Sequence, residues 1–426
     1  MKFSKSSQLI LVSSIGLLVA TFLTACSITT IDYVFVASSA GSGSSSDGQI
    51  ETYAVDSESG ALRTGAPTVS SGGVKPVSMA VTADYANLYV ANQTSGTIVH
   101  FATGLNGVLT VKDTVTLTTT PIALAVNSAG TYLYVVSCTA AAGTAYPTLS
   151  CTGGATLAEY SLSSGAIGSA ASVQLKLYGS YAADSGDVLV PTGLTVLADN
   201  AAVYVTAYDQ SAYNPGCIPT PPATTCITST ANPGWVIGYT VGSGGVLAPL
   251  ANPFKAGIKP TAIASDPTNR FVYVTDYASN QLIGYAIMSD DTLSFLLNGP
   301  FKTGSYPSAV AIDPRGKFIY VTNSLDPSVS PYSIDLATGI PTVTVNVTGS
   351  ANNSTDAQPV AIMIDPALGR FVYTANYKGN SVSGFILDPT SGALTPTQST
   401  PYPTGANPTA VIGIPHGNYS TQSVTP

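Results

Sequence analysis

Residues 260–287 read PTAIASDPTNRFVYVTDYASNQLIGYAI, and this stretch decides the fold. Pro260 to Ser265 is a short apolar run, and Asp266-Pro267-Thr268-Asn269 is a turn of the kind that Pro and Asn favour. Arg270-Phe-Val-Tyr-Val-Thr275 follows, rich in β-branched and aromatic residues. A polar loop from Asp276 to Asn280 then leads to a third apolar run, Gln281 to Ile287, and a turn at Ser289-Asp-Asp leads to a fourth. The period and the turn residues between the runs are those of strands.

The same unit recurs along the chain. Its central Tyr stands at Tyr33, Tyr89, Tyr134, Tyr204, Tyr273, Tyr320 and Tyr373, at intervals of 45 to 70 residues. Each interval holds one four-stranded blade with insertions, so the spacing predicts a seven-bladed β-propeller. No stretch after residue 30 carries a 3.6-residue apolar period, and the mature protein is therefore expected to be all-β.

First strands start at Pro76, Pro121, Pro191, Pro260, Pro307 and Pro359, and a surplus one, Pro408-Thr-Ala-Val-Ile-Gly, has no blade after it. The N-terminus has the opposite defect: Tyr33-Val-Phe-Val and Gln49-Ile-Glu-Thr-Tyr-Ala-Val read as second and third strands without a first. One composite blade, with the C-terminal strand innermost, resolves both and leaves no edge to template aggregation. The propeller is expected over 33–415, followed by a flexible Ser/Thr-rich tail at 416–426.

Ahead of it, Met1-Lys-Phe-Ser-Lys5 is basic, Leu9 to Ala25 is mostly apolar, and Leu23-Thr-Ala-Cys26 has the form of a bacterial lipobox. Residues 1–25 are thus expected to be a lipoprotein signal peptide and Cys26 the lipidation site. Residues 26–32 would form a tether of at most ~20 Å. The protein is expected in the cell envelope, its membrane partner reached through the lipid anchor.

Composition fits an exported globular protein. Charged residues are 8% of the chain, the net charge is −8, and no Lys/Arg cluster stands out. Nucleic acid and polybasic membrane patches both need such clusters, so no nucleic-acid partner is expected. Besides Cys26 there are Cys138, Cys151, Cys217 and Cys226. Pairing within each insertion, Cys138 with Cys151 and Cys217 with Cys226, fits an oxidising compartment, and no ligand spacing points to a metal.

Both cysteine pairs lie in insertions between second and third strands, in blades 3 and 4, and the link from blade 3 to blade 4 is also long. These segments carry Tyr146, Tyr178, Tyr181, Tyr208, Asp209 and Tyr213, with Trp235 at the exit. Aromatic loops on a rigid scaffold make a candidate binding face for a protein, glycan or small molecule. A second candidate is a ring at the channel mouth: Asn92, Asp209, Asp276, Asn323 and Asn376 after second strands, and Lys75 and Lys259 before first strands. The same Asn and Asp residues also serve to end strands and shape turns. Arg270, Lys317 and Arg370 fill one repeat slot and read as structural.

Catalytic chemistry is thinly supplied. His100 and Glu159 stand in adjacent blades where Gly238, Gly284 and Gly384 stand in others, which leaves open an acid/base pair or two locally bonded polar groups. No nucleophile elbow, phosphate loop, Ca²⁺ loop or cofactor motif is present.

The strings YVTDY, YVTNS and YTANY, after IASDPTNRF, AIDPRGKF and MIDPALGRF, resemble the surface-layer YVTN repeat and the seven-bladed lactonase family typified by 6-phosphogluconolactonase. The resemblance covers most of residues 31–415. It implies a hydrolase that opens a sugar lactone with channel-mouth His, Arg and acidic groups; the motifs themselves specify blades and assign no catalytic residue. The residues taken together read as a lipid-anchored binding or interaction module, with the lactone hydrolase as the alternative.

Overall fold

The structure, a computed structural model, describes residues 29–40, 47–144, 149–184, 188–213, 233–346 and 348–417. Seven antiparallel sheets follow one another around a central channel. Blade 5 shows the plan: Pro260–Ser265 innermost, then Phe271–Asp276, Gln281–Ile287 and, outermost, Leu293–Phe295. Phe301–Lys302 pairs with the other end of the third strand, so the outer strand is broken in two, a detail the repeat did not reveal. Among the described residues only short 3-10 turns interrupt the strands.

The composite blade forms as expected. Ala406–Pro415 is its inner strand and pairs with Thr30–Ala40, in register from Asp32↔Pro415 to Ala40↔Ala406. Gln49–Asp56 and Leu62–Thr64 complete it. We number it blade 1, and the other six follow in chain order.

The recurrent Tyr has a physical reason. Each is buried on a second strand, and in all but Tyr134 its hydroxyl reaches the turn between the third and fourth strands of the next blade. Tyr89 donates to the Gly165 carbonyl, Tyr204 to Asp291, Tyr273 to Gly339, Tyr320 to Gly392 and Tyr373 to Gly60, at 2.6–2.9 Å. Tyr33 reaches the Asn106 side chain in the same place, at 3.4 Å. The repeat therefore encodes a latch between blades as well as a strand within one.

Gly339 and Gly392 complete that latch. Both sit at positive φ, +75° and +73°, and a Cβ on either would enter the ring of Phe271 or Phe318 on the preceding blade. The turn has to be glycine both for its backbone angle and for its closeness to the neighbour.

Every inner strand also carries a one-residue bulge. The register shifts just after the leading Pro in blades 2, 5, 6 and 7, and at the equivalent point in the other three. The bulged residues are Val77, Ile122, Thr192, Thr261, Ser308, Val360 and Thr409, and all line the channel. A bulge re-aims its side chain. Here three hydroxyls reach the next inner strand: Thr261 to the Pro307 carbonyl, Ser308 to Pro359, and Thr409 to Pro76.

Candidate functional site

The seven bulges close around a cavity of about 350 Å³ that opens where second strands end and first strands begin. One backbone bond, repeated, builds its rim: the residue after a second strand donates its N–H to the carbonyl before the first strand. Gln93 so binds Lys75, Tyr277 binds Lys259, Ser324 binds Tyr306 and Tyr377 binds Gln358. The pair from each blade thereby stands at the mouth, a placement legible in the repeat but not drawn from it. Gln93, Tyr277, Ser324 and Gln358, all lining the cavity, were missed in the sequence.

Lys259 is the charged residue among the described residues lining this cavity. Its Nζ lies 4.8 Å from the centre of the Tyr277 ring, 5.1 Å from Tyr213 and 5.8 Å from Tyr208. Tyr277 is in turn stacked on Tyr306, and Tyr208 meets Tyr213 edge to face. No ion pair holds the ammonium among the described residues. The ring faces attract the cation, but burial outweighs this and pushes its pKa down to about 8. Across the mouth, Oε1 of Gln358 is buried without a hydrogen-bond partner, as is the Tyr213 hydroxyl. A buried, unpaired acceptor beside a cavity is set to receive a donor from a ligand.

The other expected site residues lie elsewhere. Asn92, Asp276, Asn323 and Asn376 are fully buried and do not face the channel. Asp276 accepts the backbone N–H groups of Ile258 and Lys259 and the Gln281 amide. Asn92 donates to the Ser71 carbonyl, Asn323 to Ser328 and Ser330, and Asn376 to Ser381 and Ser383. Each thus ties its own blade together, which corrects the reading of a ligand-facing ring. Asp209 holds its own turn through the Ser211 N–H and hydroxyl. Lys75 is half-buried on the rim outside the cavity lining, its pKa lowered by burial.

The aromatic insertion face is also corrected. Tyr208, Tyr213 and Trp235 are 2%, 0% and 3% exposed and belong to one apolar core with Leu149, Leu177 and Tyr239. Trp235 is covered by the Lys255 ammonium, 3.5 Å above its ring, and by Tyr181. Tyr208 and Trp235 stand on the strands Ala202–Asp209 and Gly234–Val241, and apolar side chains of blades 3 and 4 pack over them, so the rings become core. Tyr208 alone of the three reaches the cavity wall.

Cys138 and Cys151 are joined by a disulfide. The loop it closes is clamped to blade 4 by Gln210, which accepts from the Cys151 N–H and donates to its carbonyl. Cys217, Cys226, Tyr146 and Cys26 lie outside the described residues.

His100 and Glu159 do not meet. The His100 ring stacks on Tyr89 in the seam between blades 2 and 3, with Nδ1 3.2 Å from Asp113 and Nε2 2.9 Å from Asn87. Glu159 lies one seam further on, against Gly245 of blade 4. There it displaces the latch: the Tyr134 hydroxyl is buried without a partner, and burial pushes the Glu159 carboxyl up to about 7. Of the repeat cations, Arg270 pairs with Asp266 of its own turn and Arg370 lies over the Phe371 ring; Arg315, two residues before the slot filled by Lys317, pairs with Asp313.

The seven-bladed β-propeller lactonase family model matches residues 238–352 and 296–412. The fold is that of the seven-bladed lactonase propellers. Candidate 6-phosphogluconolactonases of Bacteroides uniformis and Bacteroides fragilis superpose with TM-scores of 0.68 and 0.66, each at 15% identity over 91% of this chain and 100% and 99% of theirs. The periplasmic gluconolactonase of Pseudomonas aeruginosa superposes with a TM-score of 0.66 at 17% identity, over 90% of this chain and 99% of that one. No curated protein matches the sequence. The Cys138–Cys151 disulfide fits an oxidising compartment.

Proposed function

We propose that this propeller binds and hydrolyses a neutral sugar lactone at the channel mouth, with Lys259 as the reacting group. The observation that carries the reading is a desolvated lysine, its pKa down to about 8, at the rim of a cavity sized for one sugar ring, with the unpaired Gln358 acceptor across the mouth. Tyr277 and Tyr208 form part of the wall beside the space a sugar ring would fill, and Gln93, Gln358 and Ser324 offer partners for its hydroxyls. A single cation at the cavity suits a neutral lactone better than a phosphorylated one.

In this reading the neutral Lys259 amine takes a proton from water as the water oxygen adds to the lactone carbonyl carbon. The ring C–O bond then breaks, and the resulting ammonium returns the proton to the departing ring oxygen. The product is a hydroxy acid, which loses its carboxyl proton to solvent and leaves a carboxylate facing the same lysine. A base with a pKa near the working pH is the efficient choice for such a step.

Binding without turnover is the second reading, favoured by one feature: no carboxylate or imidazole is among the described residues lining the cavity. The soluble chain beginning at Ser27 separates the two when given δ-gluconolactone in a pH-stat. Acid release above the spontaneous rate supports the hydrolase, whereas saturable binding with no excess acid supports the binder. We further propose that the chain is exported and acylated at Cys26, a reading supported by the lipobox at 23–26 and by the stapled loop of blade 3.

A further inference from the structure

We infer that the face opposite the channel mouth is a membrane-docking surface, so that the mouth points away from the bilayer. This rests on the reading of Cys26 as acylated. The first described strand starts at Thr30, paired with Asp56, and the Ser57 N–H binds the Thr29 carbonyl. Thr29 is therefore beside the turn between the third and fourth strands of blade 1, at the end remote from the mouth. Cys26 precedes it by three residues, a reach of about 10 Å. A lipid on Cys26 brings this face, and no other, within that distance of the bilayer.

The corresponding turns of other blades share this face, and several carry an apolar residue at the apex. Leu105 of blade 2 is 86% exposed, Val246 of blade 4 66%, Met288 of blade 5 48% and Leu336 of blade 6 46%. Turn apexes ordinarily take Gly, Asn, Asp or Ser, as blades 1 and 7 do with Ser59 and Ser391. Of the other exposed apolar residues among the described ones, Leu325 lies at the mouth face, and Val111, Phe295, Leu297, Val343 and Val345 lie on or beside the outer strands. Apolar tips spread around a disc that is tethered at its edge would hold it flat in the interfacial zone, in the way that interfacial apolar side chains add to a lipid anchor. The exposed charges of this face are Lys317 and Arg370 against Glu58, Asp84, Asp199, Asp290, Asp335 and Asp388, an acidic excess that gives anionic lipid no electrostatic attraction. Contact is thus apolar rather than electrostatic. The consequence is a site that samples solutes in the aqueous compartment rather than substrates in the membrane.

Hydroxyl-radical footprinting tests this on the acylated full-length protein in phosphatidylethanolamine–phosphatidylglycerol vesicles, against the soluble chain from Ser27. Oxidation of Leu105, Met288 and Leu336 is expected to fall several-fold on the vesicles while Leu325 stays unchanged. Protection of Leu325 instead, or of none of the four, overturns the docking surface. The mass of the N-terminal peptide distinguishes the causes. An acylated Cys26 without protection overturns docking alone, and an N-terminus without acyl chains overturns the anchor reading and docking with it.

Discussion

The Tyr373 hydroxyl donates to the Gly60 carbonyl at 2.7 Å, a bond that spans 313 residues of sequence and joins blade 7 to the composite blade 1. Removing the hydroxyl leaves a buried carbonyl unpaired, so Tyr373→Phe should cost about 1–2 kcal/mol in urea unfolding. Tyr273→Phe, which breaks the equivalent bond to Gly339, should cost about as much. Tyr134→Phe removes a hydroxyl that has no partner and should be neutral or stabilising. Equal losses at all three would mean that the tyrosines act through packing and not through the latch.

Ring closure makes a second test. Deleting 406–426 removes the strand paired along Asp32–Ala40 and the Thr409 bond to Pro76. The truncated chain should lose cooperative thermal unfolding or melt far lower. An unchanged melting curve would contradict the composite blade.

Gly339→Ala should be among the most damaging small changes. The left-handed backbone costs an L-residue about 1–2 kcal/mol, and the methyl group enters the Phe271 ring, adding about 1–3 kcal/mol of overpacking. Chemical denaturation reads the sum. A loss under 1 kcal/mol would show that the seam can relax.

The odd seam carries a pH dependence. Burial raises the folded-state pKa of Glu159 to about 7 from an ordinary value of 4.5. The group costs nothing below the unfolded carboxyl range. As pH rises from there to about 7, ionisation favours the unfolded chain and stability is lost; above that the loss is constant. Asp32 adds in the same sense, since burial and then the neighbouring Asp365 raise it well above the usual carboxylate range. Glu159→Gln should flatten part of the fall in melting temperature between these limits and raise it at pH 8. A wild-type stability that rises with pH across this range would refute the assignment.

Much of the fold was legible because the repeat states it several times over. Pro, the Asp-Pro turn and the buried Tyr each answer a distinct need: a strand start on a bulge, a turn closed by its own carboxylate, and a bond to the next blade. The composite blade could be read because a strand was missing at one end and surplus at the other. The site was legible only in part. Lys259 was among the expected residues, but so were Asn92, Asn323 and Asn376, because sequence does not show whether a polar residue at a strand end turns into its own blade or toward the channel. Their place in or beside insertions puts Tyr213 and Trp235 at the surface by sequence, yet both pack into the core of blades 3 and 4. Gln93, Tyr277 and Gln358 went unnoticed because the backbone bond that carries them to the rim is set by register, not by residue type.

Lys259 as the reacting group of a lactone hydrolase is open to one decisive measurement, the pH–rate profile of the soluble chain on δ-gluconolactone compared with that of Lys259→Met, which keeps most of the apolar stem. With spontaneous opening subtracted, kcat/KM should rise through a pKa near 8 and fall by about 10²-fold or more in the variant, the usual worth of a general base, while the melting temperature holds. Wild-type activity in Lys259→Met, or no excess hydrolysis by the native chain at any pH, would contradict it.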